Sequence, residues 1–403
     1  MNIVNAKQLL TLAGPKRARK GAEMRDLQII EDGAIVVREG KVEWVGKTAD
    51  LPANSDETYD AKGKVILPGF VDSHTHAVFV RPRADEYEWR IEGTPYMEIH
   101  ARGGGILSSV RTVRDAKDLG VRFADRFFEY GTTTIEAKSG YGLTKEHELR
   151  MLEAMQKETR LEVIPTYLGA HALPAEFKEN REVFIQQVIS DLDTVKRRNL
   201  AEFCDVFVEP GAFTTDEGRR IFTKAKSLGM HIKMHADEFK SSDGAALAAE
   251  VGAISADHLG AVTDDGIRRL AEAGVVATLL PSTLFMLGET HYAPARKMIE
   301  MGAAVALATD FNPGTSPTLN MQFVITLACS QMRMTPAEAI CAATINGAAA
   351  VRRAATHGSI EPGKQADFAL YDVNDYREIP YYAAVNFCTA TFKRGTLIYA
   401  KDR

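Results

Sequence analysis

The feature that most restricts this 403-residue chain is a long, regular alternation of short apolar runs with longer amphipathic ones. Strand-like runs fall at 65–71, 132–138, 162–169, 204–208, 231–235, 253–258, 275–280 and 304–309. Helical patterns fill 110–130, 145–159, 181–198, 216–229, 242–252, 264–273 and 293–302. Strands that alternate with helices form parallel sheets, because a parallel neighbour requires a crossover long enough to hold a helix. Eight such units predict a (β/α)8 TIM-like barrel, an α/β fold whose chemistry sits at the C-terminal ends of its strands.

The flanks read differently. Residues 28–48 carry short apolar stretches broken by Glu31-Asp32-Gly33 and Arg38-Glu39-Gly40-Lys41, which are hairpin signals. Runs at 368–371, 385–393 and 395–400 have the same texture. Two terminal β segments around one central region predict a small discontinuous β-sandwich formed from both termini. The expected division is 1–64 with 357–403 for the sandwich and 65–356 for the barrel.

Composition narrows the partners. A net charge of −5 argues against a nucleic-acid surface, which needs clustered Lys and Arg. No apolar run approaches the roughly 18 residues of a membrane span. The start of the chain meets Pro15-Lys16-Arg17-Ala18-Arg19-Lys20 without a secretory cleavage pattern, so the expected setting is cytoplasmic. Cys204, Cys329, Cys341 and Cys388 lack Cys-x-x-Cys spacing and read as small buried hydrophobes rather than disulfides or a zinc knuckle.

The strand ends carry the chemistry. The first run leads into His74-Thr75-His76, and residues two apart on a strand share a face. The fifth ends in His235, followed by Asp237 and Glu238; the sixth ends in His258, and the eighth in Asp310. In a barrel these residues converge on one mouth although they are far apart in sequence. Three neutral imidazoles and a carboxylate suit a borderline divalent metal and leave room for water, so His74, His76, His235 and Asp310 are the expected ligands. Such a metal lowers the pKa of its water and polarises a carbonyl, which points to hydrolysis of an amide-like bond. Glu238, His258 and Asp310 are the candidates for proton transfer, and the sequence leaves open which is the base.

Taken together, Pro68-Gly69-Phe70-Val71-Asp72-Ser73-His74-Thr75-His76, the later strand-end histidines and Asp310 resemble the amidohydrolase superfamily over nearly the whole chain. That resemblance implies a metal-bearing barrel with a β-sandwich built from both termini, zinc or iron as one divalent ion per subunit, and a homodimer. A narrower likeness rests on His74 to Phe79 followed by Arg83, Gly103 to Ser108, Glu136 to Leu143, Gly169-Ala170-His171, His235 to Glu238 and Asp310 to Thr315. It is to the histidine-degrading branch that opens 4-imidazolone-5-propanoate to N-formimidoyl-L-glutamate. By that likeness Arg83, Tyr141 and His171 hold the ring and propionate, Asn312, Gly314 and Thr315 line the same pocket, and Tyr96 is a lesser candidate. A bidentate arginine is the natural receptor for a carboxylate.

Plainer readings compete with these. Without the family, Arg83 reads as a solvated salt-bridging side chain, Tyr141 as a loop aromatic and His171 as a core histidine. Gly103-Gly104-Gly105 reads as a flexible turn ahead of a helix, with anion binding a secondary role. Lys138 and Glu209 are the residues to weigh for a second, bridged metal, and a single metal is the favoured count. His100, His147, His231, His291 and His357 read as ordinary surface or helix histidines. The nearest rival function is a cytosine- or guanine-type deaminase, against which Arg83 discriminates because a neutral base offers no carboxylate. A barrel kept only as a binding scaffold would be expected to have lost its ligand set.

Overall fold

The computed structural model describes residues 1–53, 56–94, 98–99 and 103–401. Eight parallel strands form the central barrel: β6 (Phe70–Thr75), β7 (Thr132–Lys138), β8 (Glu162–Ala170), β9 (Phe203–Val208), β10 (His231–Ala236), β11 (Ser255–His258), β12 (Val276–Leu279) and β13 (Val305–Leu307). They pair in chain order from β6 to β13. Closure comes just beyond β13, where Asp310 N donates to His74 O at 3.1 Å and His76 N to Phe311 O at 2.8 Å. The residues that close the barrel are therefore the ones that bear its candidate ligands. Strands β7 and β11 are buried at every position, as strands with both faces covered should be.

The remaining strands form one sheet from both ends of the chain: β1 (Asn2–Leu10), β2 (Ile29–Arg38), β3 (Lys41–Lys47), β4 (Thr58–Asp60), β5 (Val65–Pro68), β14 (Phe368–Tyr371), β15 (Cys388–Lys393) and β16 (Thr396–Ala400). The order is β16-β15-β14-β5-β1-β2-β3, with β4 beside β1. The sheet curls over a core of its own, in which Ile3, Ile35 and Val37 meet Ile66, Phe368 and Phe392. Ala366 N donates to Gly40 O at 2.9 Å and Gly395 N to Ala366 O at 2.8 Å, tying its two halves together.

Two expected elements divide. The apolar run at 65–71 is one strand by pattern, yet it changes sheet at Gly69: β5 pairs with β1 and β14, and β6 opens the barrel. A Cβ at Gly69 would sit 2.3 Å from Thr133 Oγ1, so only glycine permits this close crossing. The change of sheet thus falls inside the stretch expected to be barrel from residue 65. The helical pattern at 110–130 becomes Ile106–Asp115 and Ala124–Glu129. Between them Arg122 N donates to Ala77 O at 2.8 Å and Phe123 takes a left-handed φ of 55°, so docking beside the first barrel strand overrides helical continuity. Among the described residues no helix is long and apolar enough to cross a membrane.

Candidate active site

The structure brings the strand-end residues together. The rings of His74 and His235 lie 4.6 Å apart between centroids, His74 and His76 5.4 Å, and His235 and His258 5.2 Å. Asp310 Oδ1 is 3.6 Å from His74 Nε2 and 3.7 Å from His76 Nε2. His235 Nε2 faces His76 Nε2 at 3.4 Å. All five residues are buried. Two ring nitrogens pointed at each other, with buried His74 Nε2 and His258 Nε2 lacking any hydrogen-bond partner, are costly unless something binds between them. The imidazole-and-carboxylate donor set fits a divalent metal. Asp237, His258 and Asp310 all hold positive φ, at 49°, 77° and 52°. Backbone strain of this kind costs about 1–3 kcal/mol per residue and gathers where function requires it.

Three of the four candidate ligands are gripped from behind, while His76 Nδ1 has no hydrogen-bond partner. His74 Nδ1 pairs with Asp257 Oδ2 at 2.7 Å, His235 Nδ1 with Asp205 Oδ1 at 3.0 Å, and Thr283 Oγ1 donates to Asp310 Oδ2 at 2.6 Å. Bonds to Nδ1 leave Nε2 free to face the cavity, which is how a ligating histidine is oriented. Asp205, Asp257 and Thr283 were not anticipated from the sequence. A visible signal existed for Asp205, a carboxylate inside an otherwise apolar strand.

Lys138 and Glu209, weighed above as bridging groups, have other partners. Lys138 Nζ is held by Glu136 at 2.8 Å and Asp205 at 2.7 Å. The Glu209 carboxylate accepts from the backbone N–H groups of Glu238, Phe239 and Lys240 at 3.0, 3.3 and 2.8 Å, and so builds the turn that carries Glu238. Asp237 likewise accepts from Ser242, Gly244 and Ala245 N–H groups at the start of the helix Gly244–Val251.

Around the rim, His171 stacks on His76 at 4.9 Å, and Tyr141 lies 5.5 Å from His171 and 5.8 Å from His76. His171 Nδ1 meets Gly140 O at 2.9 Å. Arg83 is not a solvated side chain: it is 8% exposed, with a long 3.5 Å contact to Glu86 and a buried Nε lacking a partner. Its guanidinium lies over Gly314, where a Cβ would come within 1.6 Å of Nη2. Its charge acts on both Tyr141 and His171. Asn312 uses its amide locally: Oδ1 accepts from Gly314 N and Thr315 N, both at 2.8 Å, and Nδ2 donates to Asp310 O at 2.7 Å. It shapes the loop under Arg83. Gly105 N donates to Glu86 at 3.0 Å, so the anion at this glycine turn is one of the chain's own carboxylates. Tyr96 and His100 lie outside the described residues. His357 is not a surface histidine: it is buried between Glu162 and Asp367.

The electrostatics follow from burial. Desolvation lowers His74, His76 and His258 well below the ordinary histidine value and takes His171 down to about 3, keeping the imidazoles neutral. Burial, with Asp310 and Glu209 close by, raises Glu238 well above the usual carboxylate range, and burial pushes Asp310 up to about 6. Glu238 Oε1 stands 3.4 Å from His258 Nδ1.

The sequence profile of the Amidohydrolase family matches residues 65–398. The chain belongs to the amidohydrolase family. This amidohydrolase is 48% identical to a protein named imidazolonepropionase from Solibacter usitatus (strain Ellin6076), covering 99% of each chain. It is 46% identical to one of the same name from Geobacillus kaustophilus (strain HTA426), covering 98% of this chain and 96% of that one. Solved structures share its fold at low identity. E. coli guanine deaminase aligns with a TM-score of 0.70 at 16% identity over 99% of both chains. An adenosine deaminase from Xanthomonas campestris with bound zinc aligns with a TM-score of 0.67 at 18% identity, over 98% of this chain and 92% of the other.

Proposed function

We propose that this amidohydrolase opens the ring of 4-imidazolone-5-propanoate with water to give N-formimidoyl-L-glutamate. The observation that carries the reading is Arg83, buried at the rim of the imidazole cluster with an unspent Nε, where a small acid's carboxylate would be received. Near full-length likeness to proteins named imidazolonepropionase supports it. A neutral nucleobase has no group for that arginine, so the deaminase reading gains nothing from the geometry.

His74, His76, His235 and Asp310 would hold one zinc or iron ion per subunit. When bound, the ion lowers the pKa of a coordinated water and polarises a carbonyl. The chain's own groups do the rest. Arg83 binds the propionate, while Tyr141 and His171 fix the plane of the ring by hydrogen bonds to its heteroatoms. Water adds to the lactam carbonyl and the ring C–N bond breaks. Glu238, His258 and Asp310 surround the path of the proton that leaves water and ends on the departing nitrogen. Glu238 and His258 are close enough to pass it between them. We further infer that the barrel and the curled terminal sheet are two domains, divided near 1–64 with 357–403 and 65–356, and that the protein is a cytoplasmic homodimer.

The test is ultraviolet loss of freshly generated imidazolone propionate on adding purified protein of known metal content, with cytosine and guanine in parallel. Ring opening that vanishes in His235→Ala is expected. Metal-loaded protein that leaves imidazolone propionate intact would sink the assignment.

A further inference from the structure

Beside the imidazoles, inside the barrel, lies a set of fully buried charges that the proposed reaction does not touch: Glu136 and Lys138 on β7, Asp205 on β9, Lys233 on β10 and Asp257 on β11. Buried charge persists only where it is paired and hydrogen-bonded, so such a layer calls for a reason. Lys138 Nζ stands 2.7 Å from Asp205 Oδ2, 2.8 Å from Glu136 Oε1 and 3.6 Å from Asp257 Oδ2. Asp205 holds Nδ1 of His235, and Asp257 Oδ2 holds Nδ1 of His74. Those histidines stand on β10 and β6, on opposite sides of the eight-stranded ring. One ammonium therefore reaches both of the carboxylates that orient them. Lys233 touches Asp257 at 3.5 Å and Ser255, and among the described residues Lys138 alone is paired with both Asp205 and Asp257.

We infer that Lys138 is a positioning residue: its ammonium ties Asp205 to Asp257 and so holds His74 and His235 with Nδ1–H turned inward and Nε2 turned to the cavity. The inference rests on the metal reading above. Without the lysine, two buried carboxylates would lose the ammonium between them, and each would relax away from its imidazole. An Asp205 or Asp257 drawn away from its imidazole would no longer impose the Nδ1–H tautomer on that histidine. Burial pulls the lysine's own pKa down, but the charges of Asp205, Glu136 and Asp257 reverse this and hold it above the ordinary value, so the tie stays cationic. The role differs from the metal-bridging one weighed for Lys138 above, because all three contacts are to carboxylates.

The experiment measures Zn2+ affinity by competition with a chromophoric chelator, together with the d–d absorption of the Co2+-loaded protein and the melting temperature of the metal-free protein. Lys138→Met and Lys138→Gln are compared with Lys393→Met, which removes another buried lysine paired with two carboxylates, Glu162 and Asp367, remote from the imidazoles. Loss of an orienting partner typically costs about 10- to 100-fold in metal affinity. That loss, with an altered cobalt spectrum, is expected for Lys138→Met, a smaller loss for Lys138→Gln, and none for Lys393→Met, although all three melt lower. Wild-type affinity and spectrum in both Lys138 variants would overturn the role. If those variants do not fold, the metal-free wild type decides: long-range 1H–15N spectra of 15N-histidine-labelled protein should show His74 and His235 as Nδ1–H tautomers, and an Nε2–H tautomer at either would overturn it. Wild-type protein that binds no divalent metal would overturn the metal reading as well, which separates the two failures.

Discussion

The barrel carries a cluster of histidines and acids at each end, and the two do opposite things. At the mouth stand His74, His76, His235 and Asp310. At the other end Glu162, the first residue of β8, meets His357 and Asp367 where the terminal sheet joins the barrel. His74, His76 and Asp310 at the mouth, and Glu162, His357 and Asp367 at the seam, each place metal-ligating atoms within 4.8 Å of one another. At the seam, however, every group already has a partner. His357 Nε2 is 3.0 Å from Glu162, His357 Nδ1 is 2.8 Å from Thr356 Oγ1, and Lys393 Nζ sits 2.7 Å from Asp367 and 3.0 Å from Glu162. The place a cation would take is filled by an ammonium. At the mouth, ring nitrogens are buried and unpartnered. Residue types do not separate a structural cluster from a site here; unspent donors do.

The sharpest way to break this contrast is to cross the variants. His235→Ala should cut turnover by more than the about 100-fold that loss of an outer partner alone costs, because it removes a ligand outright. Melting temperature should change little by comparison. Lys393→Met should do the reverse: turnover and metal content near wild type, but stability lower by about 3 kcal/mol in urea titrations, since Glu162 and Asp367 are left facing each other. A Lys393→Met protein that loses its metal would show the seam to be part of the site.

A smaller effect separates the rim of the mouth from its floor. Arg83→Ala should raise KM for imidazolone propionate about 30-fold, corresponding to about 2 kcal/mol for a charged hydrogen bond, with kcat and metal content retained. Gly314→Ala should move KM in the same direction while keeping the charge, because its Cβ would occupy the space of the guanidinium. If Arg83→Ala lowers kcat and leaves KM unchanged, the arginine does not receive the substrate carboxylate.

The mouth was legible in the sequence far better than the seam or the layer of charge within the barrel. His74, His76, His235, His258 and Asp310 end strands, and strand periodicity plus barrel closure determines where strand ends meet. Arg83 needed the family likeness, because its own surroundings, Arg81 to Glu86, read as a solvated loop. His357 was misread as superficial because it lies outside any periodic element, and its burial depends on a pairing with Glu162 nearly two hundred positions away. The split at Gly69 could not be read from hydropathy, since both halves of 65–71 are equally apolar; it depends on a crossing so close that Thr133 excludes a side chain. Thr283 follows a strand at the start of the short helix Pro281–Leu287, and nothing in its local pattern reveals that Asp310 waits for its hydroxyl.

The smallest effect concerns acid. At the seam, burial raises the Glu162 carboxyl, but the hydrogen bond from His357 and the charge of Lys393 more than reverse this and hold it well below the usual carboxylate range. An unfolded glutamate titrates near about 4.3. The folded form therefore binds its proton less readily than the unfolded form, and Glu162 contributes stability that is fully present above that value and drains away as pH falls below it. Glu162→Gln should lower the melting temperature at neutral pH, yet lose less than the wild type as pH is taken from about 6 to about 3.5 across the glutamate titration. Activity at neutral pH should stay near the wild-type level, because the seam lies at the end of the barrel away from the imidazoles. Parallel melting curves for the two proteins across that pH range would mean that Glu162 is not held ionised by its neighbours, and that the seam is held by packing rather than by charge.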